Sequence, residues 1–237
     1  MNDRTDQFAA TQPIKKSPRA FTLVELLVVI AIVGALAALV IPAVQSATLS
    51  AKSAKTLSNL KQTGLIVQNY ITEKDGRLPL SADWNSFPSW FQAILADFAG
   101  LKIEWAKAYP LPDIFYDPSL KGRKEHPFGS FGVNNAIILD SSDASKKFNN
   151  SLGIMISAVP SPSRKVIVCS AIEPGWESTW GFEGEKVAQQ GLNPGIARPD
   201  PRFSGLVCAL FLDGHTEKID VKNMDQATRR KYFTLDP

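Results

Sequence analysis

A nearly unbroken run of apolar side chains extends from Phe21 to Val44. Within this run only Thr22 and Glu25 are strongly polar. About 20 apolar residues, at a helical rise of about 1.5 Å each, cover a bilayer hydrocarbon core of roughly 30 Å. The pattern therefore predicts a transmembrane helix over residues 21–44, with a single carboxylate near its start.

Residues 45–75 keep the helical period but carry one apolar stripe instead of a fully apolar surface. Pro42, just before this segment, removes one intrahelical hydrogen bond and is predicted to kink the helix without ending it. Gly76 and Pro79 are typical helix stops, so the helix is predicted to end near Glu73. The stripe needs a core to cover it and comprises Leu49, Leu57, Leu60, Gly64, Val67 and Ile71.

Beyond the helix the pattern changes to that of short β-strands. Asp213-Gly214 joins the last two strand-like runs and is typical of a type I′ hairpin turn. The elements together predict an α+β fold, in which the second half of a long N-terminal helix packs on a C-terminal antiparallel β-sheet head, residues 76–237. The predicted strands are 131–139, 164–170, 205–212 and 216–219, and the predicted short helices are 89–100 and 223–233.

Length and charge limit the number of domains and argue against a nucleic-acid partner, but they exclude few other functions. The 237-residue chain has a formal net charge of +3, of which the first 20 residues carry +2. The remainder is long enough for one domain with a hydrophobic core. Its nearly balanced charge lacks the basic field that nucleic-acid binding requires, so a nucleic-acid partner is not expected. Basic residues flank the apolar run about equally on both sides, so charge alone does not fix its orientation.

The residues that open the apolar run resemble the prepilin processing and methylation motif of type IV pilins and type II secretion pseudopilins. The matching sequence is Arg19-Ala20-Phe21-Thr22-Leu23-Val24-Glu25-Leu26-Leu27. The resemblance implies that prepilin peptidase, which is also an N-methyltransferase, cuts between Ala20 and Phe21 and methylates the Phe21 amine. It also implies a cytoplasmic leader over residues 1–20 and makes Glu25 the fifth residue of the mature chain. Ala20 stands where the family usually has glycine.

The resemblance implies that Glu25 takes part in subunit assembly. A new α-amino group at Phe21 would be largely cationic at neutral pH. In apolar surroundings either charge alone is costly, whereas an amine and a carboxylate side by side attract strongly. Pairing of Glu25 with the Phe21 amine of a neighbouring subunit would therefore set axial register. The alternative is that Glu25 reaches the membrane interface and binds nothing.

An ordinary secretory signal peptide is the second interpretation of the N-terminus. Lys15, Lys16 and Arg19 would form its basic region, and residues 43–47 would form its small-residue cleavage zone. Against this interpretation, the apolar run exceeds the usual length of roughly 7–15 residues. It also contains the carboxylate of Glu25, so the prepilin interpretation is preferred.

Two cysteines lie in separate β-type runs that are predicted to be neighbours, Cys169 and Cys208. A domain outside the cytoplasmic membrane permits oxidation, so a Cys169–Cys208 disulfide is one prediction. Free cysteine is also among the most buried residue types, so two buried thiols are the alternative, which we favour.

Signals of catalysis and metal binding are weak. The only histidines are His126 and His215, and the sequence has neither a nucleophile elbow nor a phosphate-binding glycine loop. His215 is predicted to be a solvated turn residue. Residues 140–143 are expected to form an exposed polar turn rather than a Ca²⁺ site, because Ca²⁺ takes about six to eight oxygen ligands. No enzymatic activity, cofactor or metal is predicted.

The pattern and the resemblance together predict a single-pass inner-membrane protein whose head lies in the periplasm or outside the cell. The resemblance implies prepilin peptidase, other pilin-like subunits and an inner-membrane assembly platform as partners. The resulting filament would be the pseudopilus of a type II secretion-like system or a type IV pilus-like filament. The alternative is a membrane-tethered binding or enzymatic domain that is exported with a prepilin-type leader.

Overall fold

One long helix, α1, runs from Leu23 to Glu73. The structure is a computed structural model that describes residues 21–79, 95, 98–100, 112–120, 131–138, 154–172 and 181–236. The chain divides into two compact units, Met1–Gln45 and Ser46–Pro237, and α1 contributes to both. The predicted long helix is thereby confirmed, and Pro42 lies inside it without ending it.

The C-terminal end of α1 is a left-handed turn at the predicted place. Asp75 and Gly76 have positive φ angles of 51° and 79°, and the Gly76 amide donates to the Ile71 carbonyl at 2.8 Å. Glycine adopts this conformation without steric cost, and the hydrogen bond satisfies a carbonyl that the helix end leaves open. The Leu78 amide then donates to the Ile154 carbonyl at 2.9 Å, which ties the following segment to the head.

The other elements all belong to the second unit. The helices are α2 (Asn135–Ile138), α3 (Gly184–Gln190) and α4 (Gln226–Phe233), with 3₁₀ turns at Asp113–Phe115, Ile156–Ala158 and Pro162–Arg164. The strands are β1 (Phe131–Asn134), β2 (Val166–Ile172), β3 (Gly181–Phe182), β4 (Arg198–Pro199), β5 (Val207–Phe211) and β6 (Thr216–Ile219).

The strands form one sheet in the order β3-β1-β2-β5-β6, with β4 paired to β2. The described pairings are antiparallel except that of β1 with β3, which is parallel. A long helix followed by a mainly antiparallel sheet confirms the predicted α+β fold class. The last predicted helix is confirmed as α4, whereas the predicted helix 89–100 lies largely outside the described residues, with Leu95 and Phe98 helical within it.

The strand predicted over 131–139 is wrong beyond Asn134, because the chain turns there into α2. The buried Asn134 side chain explains the change. Its Oδ1 accepts a hydrogen bond from the Ala136 amide at 3.1 Å, which favours a turn over further strand. Its Nδ2 donates to the carbonyls of Val166 at 2.9 Å and Phe233 at 3.0 Å. One carboxamide therefore ends β1 and joins it to β2 and to the end of α4.

The hairpin between β5 and β6 is confirmed, but its predicted type I′ turn is wrong. In a type I′ turn both central residues have positive φ, whereas at this turn only Gly214 does, with φ 87°. The Gly214 amide donates to the Phe211 carbonyl, and the Phe211 amide donates to the His215 carbonyl, both at 2.9 Å. The loop therefore has three residues, Leu212 to Gly214, with glycine at its left-handed position.

Buried side chains cover both faces of the sheet. On one face, residues of α1 such as Leu60 and Val67 pack with Val168 and Leu210 of the sheet. On the other face, α3 and α4 pack on alternate residues of the same strands, with Val187 and Phe233 among the buried side chains. Because successive side chains of a strand point to opposite faces, both alternating sets of the central strands are apolar. The second unit therefore has a helix-sheet-helix arrangement.

The predicted stripe of α1 is buried at Leu60, Gly64, Val67 and Ile71, and half-buried at Leu49 and Leu57. Four polar residues that the stripe did not include are buried as well, Ser53, Thr56, Asn59 and Thr63. Each hydroxyl of this set bonds to a carbonyl of the helix itself, such as Thr63 Oγ1 to the Asn59 carbonyl at 3.1 Å. Such bonds let small polar residues lie in a helix interface without an unsatisfied donor.

Candidate functional site

The start of α1 holds the residues of the predicted processing site. Thr22 precedes the helix, and the Glu25 amide donates to Thr22 Oγ1 at 3.2 Å. In return, Glu25 Oε2 accepts from the Thr22 amide at 2.9 Å and from Thr22 Oγ1 at 2.8 Å. This reciprocal arrangement is a capping box, which satisfies amides that a helix start leaves open. Threonine followed three residues later by glutamate is the sequence signature of this cap, and here it lies inside the processing motif.

The capping box leaves part of the Glu25 carboxylate accessible. Both of its hydrogen bonds to Thr22 fall on Oε2, and a carboxylate offers about four acceptor positions over its two oxygens. Glu25 is exposed, and Phe21, four residues earlier, is 75% exposed. The carboxylate can therefore accept a further donor, such as an ammonium group, while it still caps its own helix. Ala20, on the other side of the predicted cleavage point, lies outside the described residues.

The first half of α1 presents apolar side chains on every face. All the large ones from Phe21 to Val44 are exposed, including Leu39 at 76%. By length and composition, α1 is the one helix among the described residues that qualifies as a membrane span. A helix that is apolar all round needs an apolar environment, either lipid or other helices. The kink predicted at Pro42 stays a prediction.

The favoured prediction of two buried thiols is confirmed. The Cys169–Cys208 disulfide, which was the less favoured prediction, is wrong, because the two side chains lie on opposite faces of the sheet. Cys169 on β2 pairs with Ala209 on β5, so Cys208 is one residue out of register with it. A shift of one residue along a strand places a side chain on the other face. Accordingly, Cys208 packs in the core beneath α1 and Cys169 in the core beneath α3 and α4. Both are free, buried thiols.

Burial makes both thiols difficult to ionise. It raises the pKa of Cys208 from an ordinary 9.0 to about 12, and it raises the pKa of Cys169 well above 9.0. Since the thiolate is the reactive form, neither cysteine has the low pKa of a catalytic or redox-active residue.

A loss of stability at alkaline pH is expected from the raised cysteine pKa values. Between about pH 9 and pH 12 the unfolded chain loses thiol protons that the folded chain keeps. The free energy of unfolding should therefore fall above pH 9, by about 1.4 kcal/mol per pH unit for each thiol. Urea unfolding between pH 8 and pH 10.5 measures this slope, and Cys208→Ala should make it shallower. Equal slopes for the variant and the natural chain would contradict the raised pKa.

His215 is less solvated than predicted. Its ring stacks on Phe211 with the ring centroids 4.2 Å apart, and its Nδ1 lies 2.5 Å from Asp213 Oδ1. The side chain is 40% exposed. Stacking and pairing therefore hold the imidazole at the hairpin, although it still contacts solvent.

A buried ionic cluster that sequence analysis did not find joins α1 to residues 112–120. The single Thr56 hydroxyl proton is shared between the Lys52 carbonyl at 2.9 Å and Asp117 Oδ1 at 3.1 Å. Arg202 Nη1 lies 3.6 Å from Asp117 Oδ2. Arg202 Nη2 also donates to the Ala171 carbonyl of β2 at 3.1 Å. The guanidinium also pairs with Asp200 Oδ2 at 2.6 Å, so two carboxylates share one cation, which partly compensates the cost of burying Asp117. Asn59 reinforces this junction, because its Nδ2 donates to the Tyr116 carbonyl at 3.0 Å.

Lys165 is a second buried charge that its sequence context did not predict. The residue is 1% exposed, and its Nζ donates to the main-chain carbonyl of Asp236. Burial lowers the pKa of Lys165, and the nearby Asp236 carboxylate partly opposes this shift. The contact holds the segment after α4 against the start of β2.

The part of the chain that the structure describes contains no candidate metal site. No three His, Cys, Asp or Glu residues there are grouped closely enough to hold an ion. The acidic turn 140–143, for which a Ca²⁺ site was the less favoured interpretation, lies outside that part.

Comparison with protein families confirms the resemblance at the N-terminus. Residues 15–41 match the model of the prokaryotic N-terminal methylation motif. The matched segment contains Ala20, Phe21, Thr22 and Glu25, so the chain carries a prepilin-type motif that includes the predicted cleavage point and continues into the first half of α1. No curated protein and no solved structure matches the chain.

Proposed function

We propose that this protein is a pilin-like structural subunit, which prepilin peptidase processes and which then assembles into a filament. One observation carries the proposal, namely that the methylation motif directly opens a helix that is apolar in its first half and amphipathic in its second. A helix of this kind can lie in a membrane before assembly and contact other helices afterwards. The proposed role is structural rather than enzymatic.

Processing would occur between Ala20 and Phe21 on the cytoplasmic side of the inner membrane. Residues 1–20 would be removed, residues 21–44 would anchor the subunit, and the head would lie in the periplasm or outside. The inner-membrane assembly platform and other pilin-like subunits would be its partners. The filament is either a type II secretion-like pseudopilus or a type IV pilus-like filament, and we place the pseudopilus first.

Assembly would depend on Glu25 and on the amine that cleavage creates at Phe21. The capping box uses Glu25 Oε2, so the same carboxylate can accept the methylated amine of a neighbouring subunit without losing its helix cap. In the apolar core of a filament, this pair would compensate two charges that are each costly alone. The pair would also fix the axial step between subunits, since it forms only at one helix offset.

The mature protein is expected to begin with N-methylated Phe21. Mass spectrometry of the N-terminal peptide from the membrane fraction tests this prediction. The control is a strain without prepilin peptidase, in which residues 1–20 should remain attached. A mature chain beginning near Thr48 would support the secretory signal peptide instead, and an N-terminus at Met1 would indicate an uncleaved anchor.

A further inference from the structure

Two side-chain hydrogen bonds join α1 to the β5–β6 turn inside the second unit. Lys61 Nζ donates to the Gly214 carbonyl at 2.9 Å, and Gln68 Nε2 donates to the Leu212 carbonyl at 2.6 Å. Between them, Gly64 lies so close to the turn that an added Cβ would be 3.3 Å from the Gly214 oxygen. We call these three α1 residues and the turn Leu212–Gly214 the clamp.

The spacing of the clamp residues fixes both position and rotation of the helix on the sheet. Positions 61, 64 and 68 follow one another at three- and four-residue steps and therefore share a helix face. At about 1.5 Å per residue, the Cα atoms of Lys61 and Gln68 are about 10 Å apart along the axis. A slide of α1 by one turn would break both bonds and would bring a larger side chain to the place of Gly64.

The other described contacts between α1 and the head are apolar, indirect or weak, so we expect them to oppose sliding of the helix along the sheet less than the clamp bonds do. The contacts of Leu60 and Val67 are apolar, and apolar attraction is non-directional. The hydrogen bonds of Thr56 and Asn59 go to residues 113–117 and reach β2 only indirectly, through the Asp117–Arg202 pair and the Arg202 bond to the Ala171 carbonyl. Cys208 Sγ lies 4.0 Å from the Ser53 carbonyl, which is a weak sulfur contact.

We propose that the clamp is the mechanical joint through which axial force on α1 reaches the β-sheet of the head. The inference rests on the proposed function, because a subunit that is drawn from a membrane or pushed along by its helix experiences such a force. Directional bonds at a tight backbone approach carry shear along the helix axis, whereas the apolar contacts keep the head folded. Removal of the clamp bonds should therefore weaken force transmission more than it weakens the fold.

Force spectroscopy on the full-length chain in lipid nanodiscs tests this inference. In the first geometry the handles are attached at Ser46→Cys on α1 and Glu217→Cys on β6, so the load crosses the clamp. In the second geometry they are attached at Gln189→Cys on α3 and Glu217→Cys, so the load does not pass through α1. All three positions are exposed, whereas both natural cysteines are buried and should not react with the handles.

The variants Lys61→Met and Gln68→Leu remove the two clamp bonds and keep the apolar part of each side chain, which becomes one heavy atom shorter. Their matched controls are Lys55→Met, which replaces an exposed lysine on α1, and Gln62→Leu, which replaces an exposed glutamine whose amide bonds to Ser58 within α1. If the double clamp variant does not fold, the single Gln68→Leu variant takes its place.

The double clamp variant should rupture about tenfold faster at equal force in the first geometry, as expected for two lost hydrogen bonds. In the second geometry its rupture rate should change less than about twofold, and the control variants should behave like the natural chain in both. Equal acceleration in both geometries, or none in the first, would overturn the inference. Filament formation by the natural chain is scored separately, so its absence would count against the proposed function while the force measurement still decides the joint.

Discussion

A fragment that begins at Gly76 is expected to aggregate, whereas one that begins at Ser46 is expected to be soluble and folded. The longer fragment keeps the half of α1 that packs on the sheet and omits the exposed apolar half. The shorter fragment lacks Leu60, Val67 and Ile71, which are at most 6% exposed. Their sheet partners would then face water as one continuous apolar surface.

The magnitude of this loss decides the outcome. Removing one buried leucine or isoleucine side chain typically costs about 2–5 kcal/mol, and a whole domain is stable by only about 5–15 kcal/mol. Loss of three such residues costs about 6–15 kcal/mol, which already matches the whole stability of a domain, and the clamp and the bonds to residues 113–117 are lost in addition. Size-exclusion chromatography and thermal unfolding of the two fragments check this, with Leu60→Ala in the longer fragment as a graded intermediate. A monodisperse, cooperatively unfolding fragment from Gly76 would contradict the packing described for α1.

The sequence was sufficient to predict the features that depend on local pattern. Apolar length identified the first half of α1, the glycine after Glu73 located its end, and Asp213-Gly214 located the β5–β6 hairpin. These features need only residue period and turn chemistry, which are local properties. The methylation motif was recognisable for the same reason, since its residues are contiguous and the family comparison matches them.

The features that depend on distant residues could not be predicted in this way. Asn134 ends β1 because its carboxamide finds partners near residues 166 and 233. Thr56 is buried on α1 because it meets Asp117, which is 61 residues away. The two cysteines were predicted in neighbouring strands, but which face each occupies depends on a register that periodicity does not give. The hairpin turn differed in type because the loop has three residues rather than two.

Glu25→Ala is expected to leave processing and membrane insertion intact and to abolish or strongly reduce filament incorporation. The substitution removes a costly carboxylate from the apolar segment, so the isolated subunit should lie in the bilayer at least as stably as before. In a filament it would leave the neighbouring Phe21 amine without its partner, and an uncompensated buried charge costs about 3–5 kcal/mol. A loss of that size reduces the association constant by more than about a hundredfold.

The capping box requires that this variant be compared with Glu25→Gln. Alanine removes both the charge and the cap to Thr22, whereas glutamine keeps an acceptor for the cap and removes only the charge. Glu73→Ala, at the exposed far end of the same helix, controls for loss of a carboxylate elsewhere. For each variant the processed pool held in the membrane is compared with the sheared filament fraction. If charge pairing drives assembly, glutamine should fail as alanine does, and Glu73→Ala should assemble normally. Assembly by Glu25→Gln at the natural level would assign Glu25 to the helix cap alone, and assembly by Glu25→Ala would remove the assembly role of Glu25. Absence of the natural chain from the filament fraction would favour the membrane-tethered domain.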